Sequence, residues 1–118
     1  MPDYKTVVAI GSELPEVEES TSYGTPALKV RGRMFARLRE DGETLVVWSD
    51  FLEREALVQG DPETFYWTPH YEDYPLVLIR LERVDRRELR ELLIEAWRLK
   101  APKRLRAAYD SEAESKHA

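Results

Sequence analysis

The chain has no cysteine, two histidines, and no long apolar run. Without thiols there are no disulfides, thiolate metal sites, iron–sulfur clusters or thiol nucleophiles. That absence points to a reducing compartment. The opening Met1-Pro2-Asp3-Tyr4 lacks the basic and apolar regions of a signal peptide. No stretch approaches the ~20 apolar residues of a membrane span. The expected address is the cytoplasm, with no membrane partner. The five glycines stand apart, so no Gly-rich phosphate loop is present. Ser20, Thr21 and Ser22 have no nucleophile-elbow context. Glu16, Glu18 and Glu19 read as a solvated acidic loop, and neither a metal nor another cofactor is expected.

What is there suits one soluble domain. The chain has 118 residues, 42% hydrophobic and 35% charged, within the range of an ordinary compact fold. The expected division is a domain over residues 1–109 and a polar tail over 110–118. Net charge is −5, unevenly spread. Ser20 to Arg39 contains Lys29, Arg31, Arg33, Arg37 and Arg39 and no acid. Lys100 to Arg106 adds Lys100, Lys103, Arg104 and Arg106, again with no acid. An acidic protein of this kind can still present basic patches to a polyanion.

Periodicity predicts the elements. A helix is expected from Asp3 to Glu13, capped by Asp3, with Val7, Ile10 and Leu14 on one face and Pro15 ending it. Pro15–Glu19 reads as connection. Ala27–Arg31 and Arg33–Arg39 then alternate about Gly32, and Asp41-Gly42 turns the chain into Thr44–Ser49. Asp50 and Glu53 form a capping-box pattern, with Leu52, Ala56 and Leu57 as the inward face of a short helix. Thr64–Thr68 and Pro75–Arg83 read as strands, the second with Val77, Ile79 and Leu81 on one side and Leu76 and Leu78 on the other. Asp85 caps a helix whose Leu89, Leu92, Leu93, Ala96 and Trp97 make a core stripe. A last turn or two is expected over Lys103–Tyr109. The order α-βββ-α-ββ-α describes an α+β two-layer sandwich, a five-stranded antiparallel sheet with helices on one face. Its expected core is Val7, Ile10, Leu14, Met34, Leu38, Val47, Leu57, Leu89, Leu92, Leu93 and Ala96.

The series Leu14-Pro-Glu-Val-Glu-Glu, Tyr23-Gly-Thr-Pro-Ala-Leu-Lys-Val-Arg-Gly-Arg-Met-Phe-Ala-Arg-Leu, Asp61-Pro-Glu-Thr-Phe, Thr68-Pro-His-Tyr and Tyr74-Pro-Leu-Val-Leu-Ile-Arg-Leu resembles the MmcQ/YjbR-like family. So does Leu89 through Ala101-Pro-Lys-Arg-Leu, and the likeness runs from about Tyr4 to Leu105. The resemblance implies a mainly bacterial domain with a two-layer fold similar to secretion-chaperone-like folds. It also implies a double-wing, DNA-binding-type motif, and it carries over no catalytic residues.

Three constellations compete with plain structural readings. Strand alternation puts Arg33, Phe35, Arg37 and Arg39 on one face, with Lys29 and Arg31 across the turn. With Lys103 and Arg104 these form a candidate phosphate-binding surface; the bland reading is a solvated sheet face, which is the commoner outcome. Phe65, Tyr66, Trp67, Tyr71 and Tyr74 crowd ten residues. Tyr23, Trp67, His70 and Tyr71 are the candidate pocket, against the more ordinary reading that the aromatics cover the core's edge. His70 has no ligand-spaced or base-orienting neighbour and reads as structural. The chain is therefore expected to be a non-enzymatic binding module, with sequence-tolerant DNA binding through the basic face. The alternative is a small-molecule or protein-partner domain using the Tyr23–Pro26 step and the Tyr66–Tyr74 loop. Monomer and weak homodimer are both open.

Overall fold

The computed structural model describes residues 2–117. Met1 and Ala118, the outer ends of the expected domain and tail, lie outside the described residues. The chain runs α1 (Tyr4–Gly11), β1 (Val17–Ser22), β2 (Thr25–Val30), β3 (Arg33–Leu38), β4 (Thr44–Trp48), α2 (Phe51–Gly60) and β5 (Phe65–Tyr66). A 3₁₀ turn (Pro69–Tyr71), β6 (Leu76–Arg80), α3 (Arg86–Lys100) and α4 (Lys103–His117) follow. The α+β class is as expected, but the antiparallel sheet has six strands, ordered β1-β2-β3-β4-β6-β5. The added one is β1. Its polar sequence carries no apolar alternation, and its backbone is ordered by pairing with β2 from Val17↔Val30 to Ser22↔Thr25.

The caps behave as their chemistry dictates. Asp3 accepts from the Thr6 amide while the Thr6 hydroxyl accepts from the Asp3 amide, closing a capping box. Asp85 accepts from the Arg87 and Glu88 amides. Asp50 accepts from the Glu53 amide to start α2. Tyr23-Gly24 and Arg31-Gly32 both have positive φ (53° and 79°, 51° and 78°), the paired left-handed conformation of two-residue hairpin turns.

The core lies between one sheet face and α1 and α3. Val7, Ile10, Leu28, Phe35, Ala36, Leu45, Val47, Val77, Ile79, Leu89, Leu93 and Trp97 are buried there. A Cβ on Gly11 would stand 2.5 Å from Leu28 Cδ1, which is how closely α1 approaches β2. Trp97 donates from Nε1 to the Pro15 carbonyl at 3.0 Å, tying α3 to the α1–β1 connection. A smaller cluster, Val46, Leu76 and Leu78, occupies the opposite face beneath Trp48, Tyr66 and Tyr71.

Several expectations are corrected here. Leu52 and Ala56 of α2 are exposed and Leu57 is only half-buried; the residue that α2 buries is Arg54. β5 ends after Tyr66, so Phe65 is buried whereas Trp67 is exposed. The segment from Asp110 continues α4 to His117, and Asp110 accepts from both terminal nitrogens of Arg98. Tyr109 packs on Trp97 with ring centroids 5.2 Å apart.

The main correction concerns β3. Ala27 pairs with Arg37 and Leu28 with Ala36, but Lys29 pairs with Met34, so Phe35 is an extra residue in the strand. This bulge places Phe35 and Ala36 together in the core and reverses the alternation beyond them. Arg33 and Arg37 consequently lie on opposite faces, and the single basic face expected from the sequence does not form. Met34, expected in the core, is half-buried on the face turned away from α1 and α3.

Candidate functional site

The face left free by the helices carries a groove of about 570 Å³. Its floor is Met34 of β3, Val46 and Trp48 of β4, and Leu76 of β6. One wall is Tyr23 at the β1–β2 turn, and the other is His70, Tyr71 and Tyr74 from the loop between β5 and β6. Arg37, Arg39 and Glu40 close it. The volume falls within the range that small-ligand pockets span, and an apolar floor is combined with a few convergent polar groups.

Arg37 organises this arrangement. Its side chain is buried, and Nη1 donates to Thr25 Oγ1 at 3.0 Å and to Glu40 Oε1 at 3.3 Å. Nη2 donates to the Tyr71 hydroxyl at 2.9 Å, and Cζ stands 5.4 Å from the Tyr23 ring centroid. One guanidinium thus joins the hairpin turn, the strand and the aromatic loop. Arg39 is half-buried beside it, and its one side-chain hydrogen bond among the described residues goes to the Tyr66 hydroxyl at 3.4 Å. Glu40 is held below the usual carboxylate range by its own backbone amide and then by Arg37 and Arg39. It is therefore ionised at neutral pH.

The aromatic loop is held from behind by Arg54, which sequence reasoning missed. Arg54 Nη1 donates to the carbonyls of Tyr71 (3.0 Å) and Tyr74 (2.9 Å), and Nη2 to that of Glu72 (3.1 Å). Its guanidinium also stands over the rings of Phe51 and Trp67, with Cζ 4.9 and 4.6 Å from their centroids. An arginine amid the polar residues of a short helix looks solvated in sequence. Only the position of the loop reveals its partners.

The sequence-derived candidates divide accordingly. Tyr23, His70 and Tyr71 come together in the groove, whereas Trp67 lies behind it on Arg54. His70, expected to be a satisfied structural residue, is exposed on the rim with its ring nearly perpendicular to that of Tyr71, centroids 4.8 Å apart. The basic candidates are dispersed. Lys29 is half-buried in β2 opposite Met34. Arg31 is exposed in its turn and pairs with Glu16 at 2.7 Å. Arg33 donates to the Lys100 carbonyl at 3.4 Å, and Lys103 and Arg104 are exposed where α4 begins. Arg37 and Arg39 alone belong to the groove.

Together these features define a two-layer α+β domain with one sheet face covered by helices and the other bearing an aromatic groove. The YjbR family model matches residues 12–99, and the chain belongs to that family. It is 25% identical to the crystal structure of Deinococcus radiodurans protein DR2400, described by its DUF419 family-model domain, with a TM-score of 0.72. That likeness covers 84% of this chain and 78% of the other. Uncharacterised proteins of Mycobacterium bovis and Mycobacterium tuberculosis are 44% identical over 54 residues. The match takes in 46% of this chain and 42% of each relative's length, so the chain spans less than half of those proteins.

Proposed function

We propose that this YjbR-family domain is a non-enzymatic binding module whose recognition surface is the open-face groove. The observation that carries the reading is the convergence of Tyr23, Arg37, Tyr71 and Tyr74 from three separate segments on one concave surface. Two of its rings, Tyr23 and Tyr74, are 86% and 53% exposed, and exposed aromatics rimming an apolar floor favour binding over core packing. Binding chemistry suits the groove better than catalysis. Glu40 is paired with Arg37, and the His70 ring stands nearly perpendicular to that of Tyr71, with no carboxylate hydrogen-bonded to it among the described residues. Amide shift mapping with a set of small aromatic and aliphatic fragments tests this. Shifts should cluster on the groove and vanish in Tyr23→Ala/Tyr74→Ala; a fragment set that leaves these residues unmoved removes the reading.

A second reading, DNA contact, is favoured by a different place. Lys103 and Arg104 are exposed where α4 begins. A few residues earlier, partial burial and then the Arg33 guanidinium, which donates to the Lys100 carbonyl, hold the Lys100 ammonium below its ordinary pKa. A concentration of cations of this kind would engage phosphates without reading sequence. Labelled duplex DNA titrated across a salt series should bind more weakly as salt rises, with a flatter slope for Lys103→Gln/Arg104→Gln. Equal binding by the parent and the double variant sinks it.

A further inference from the structure

We infer that the groove takes a small monoanion carrying a flat ring, an inference that rests on the groove being the binding surface. The charge balance comes first. Two guanidiniums, Arg37 and Arg39, and one carboxylate, Glu40, line the groove, leaving one positive charge in excess. Just outside the lining, the Asp41 carboxylate is close enough to feel Arg39 and the Lys100 ammonium stands 3.5 Å from the Trp48 ring centroid, so these two outlying charges offset each other and the excess stays at one. The Asp41 oxygens are held in their own turn by the Glu43 and Thr44 amides and the Thr44 hydroxyl, so Asp41 does not pair directly with Arg39.

The donors are unequal. Arg37 is engaged by Thr25, Glu40 and Tyr71. Arg39 has no carboxylate within 4.0 Å among the described residues and makes one long bond to Tyr66. A guanidinium has five N–H donors in a planar fork, so most of those on Arg39 are free for a ligand oxygen pair. Trp48, in the floor, buries its indole N–H without an acceptor among the described residues. The rest of the lining is aromatic or apolar, with rings from the turn, the strand and the loop. A planar ligand body meets these rings in offset or edge-on contact.

The test uses naphthoate, its uncharged amide and its fully hydrogenated carboxylate analogue, each titrated against the full chain while amide shifts are followed. Naphthoate should move groove residues and bind about ten- to a hundredfold more tightly than the amide, the range expected of one charge-assisted pairing. The hydrogenated acid should bind more weakly than naphthoate. Arg39→Gln should level the acid–amide difference with its shift dispersion intact, and Arg39→Lys should restore part of it. Equal affinity of acid and amide at the groove overturns the monoanion and leaves the groove as a binding surface. Equal affinity of the two acids overturns the ring preference. If none of the three moves groove residues, the inference fails; the groove reading itself falls only if the wider fragment set also leaves them unmoved.

Discussion

The Arg37 guanidinium donates to the Tyr71 hydroxyl at 2.9 Å, joining residues 34 apart in sequence across the open face of the sheet. That bond attaches the aromatic loop to β3, and the Arg37 contacts to Thr25 and Tyr23 attach the hairpin turn to the same strand. The groove is therefore built around a buried cation.

Arg37→Gln should then cost about 2–3 kcal/mol in urea unfolding, because buried Thr25 and half-buried Tyr71 lose their shared charged donor. Arg33→Gln, an exposed residue of the same strand, should stay within about 0.5 kcal/mol of the parent. Equal costs would show that the two arginines have equivalent surroundings, against the bulge.

Arg54→Ala should cost about 3 kcal/mol and raise amide exchange over Tyr71–Tyr74, whose carbonyls lose their shared donor. Arg54→Lys should recover only part of this, since an ammonium cannot reach several carbonyls in a fork or stack on the Phe51 and Trp67 rings as a guanidinium does. Unchanged exchange in Arg54→Ala would mean the loop holds itself.

Burial, with Glu19 adding repulsion, pushes the Tyr4 phenol up to about 12. A folded-state pKa above the unfolded value of 10.0 stabilises the fold fully below pH 10, and this contribution is lost as pH rises towards 12. Parent stability should decline across that window more steeply than that of Tyr4→Phe. The hydroxyl has no partner among the described residues, so Tyr4→Phe should also gain up to about 1 kcal/mol at neutral pH. A destabilised Tyr4→Phe would reveal a bond to that hydroxyl.

Tyr23 holds φ at 53°, where asparagine or glycine sits more easily, with its ring 86% exposed. Tyr23→Asn should therefore leave the melting temperature level or higher while weakening naphthoate binding several-fold. A variant that melts lower would show that the ring's contact with Arg37 is chiefly structural.

Local chemistry was enough to read much of the fold. Aspartates at positions 3 and 85 cap helices because their carboxylates reach free amides one turn on. The α3 stripe and the two-sided alternation of β6 both bury as their periods require. The Tyr23 step and the Tyr66–Tyr74 loop stood out by composition, but nothing local places one opposite the other. Tertiary structure decided the rest. β1 is a strand because β2 offers its backbone partners, although Glu18-Glu19-Ser20-Thr21 has no strand pattern of its own. Phe35 is the bulge because Ala36, rather than Phe35, aligns with both Leu28 and Val47, a register set by two neighbouring strands at once. Alternation assigns faces only while the pairing is uninterrupted, and one inserted residue reverses every side chain beyond it. That single step separates Arg33 from Arg37, and the buried position it gives Arg37 depends on Thr25 and Tyr71, whose nearness only the folded chain supplies.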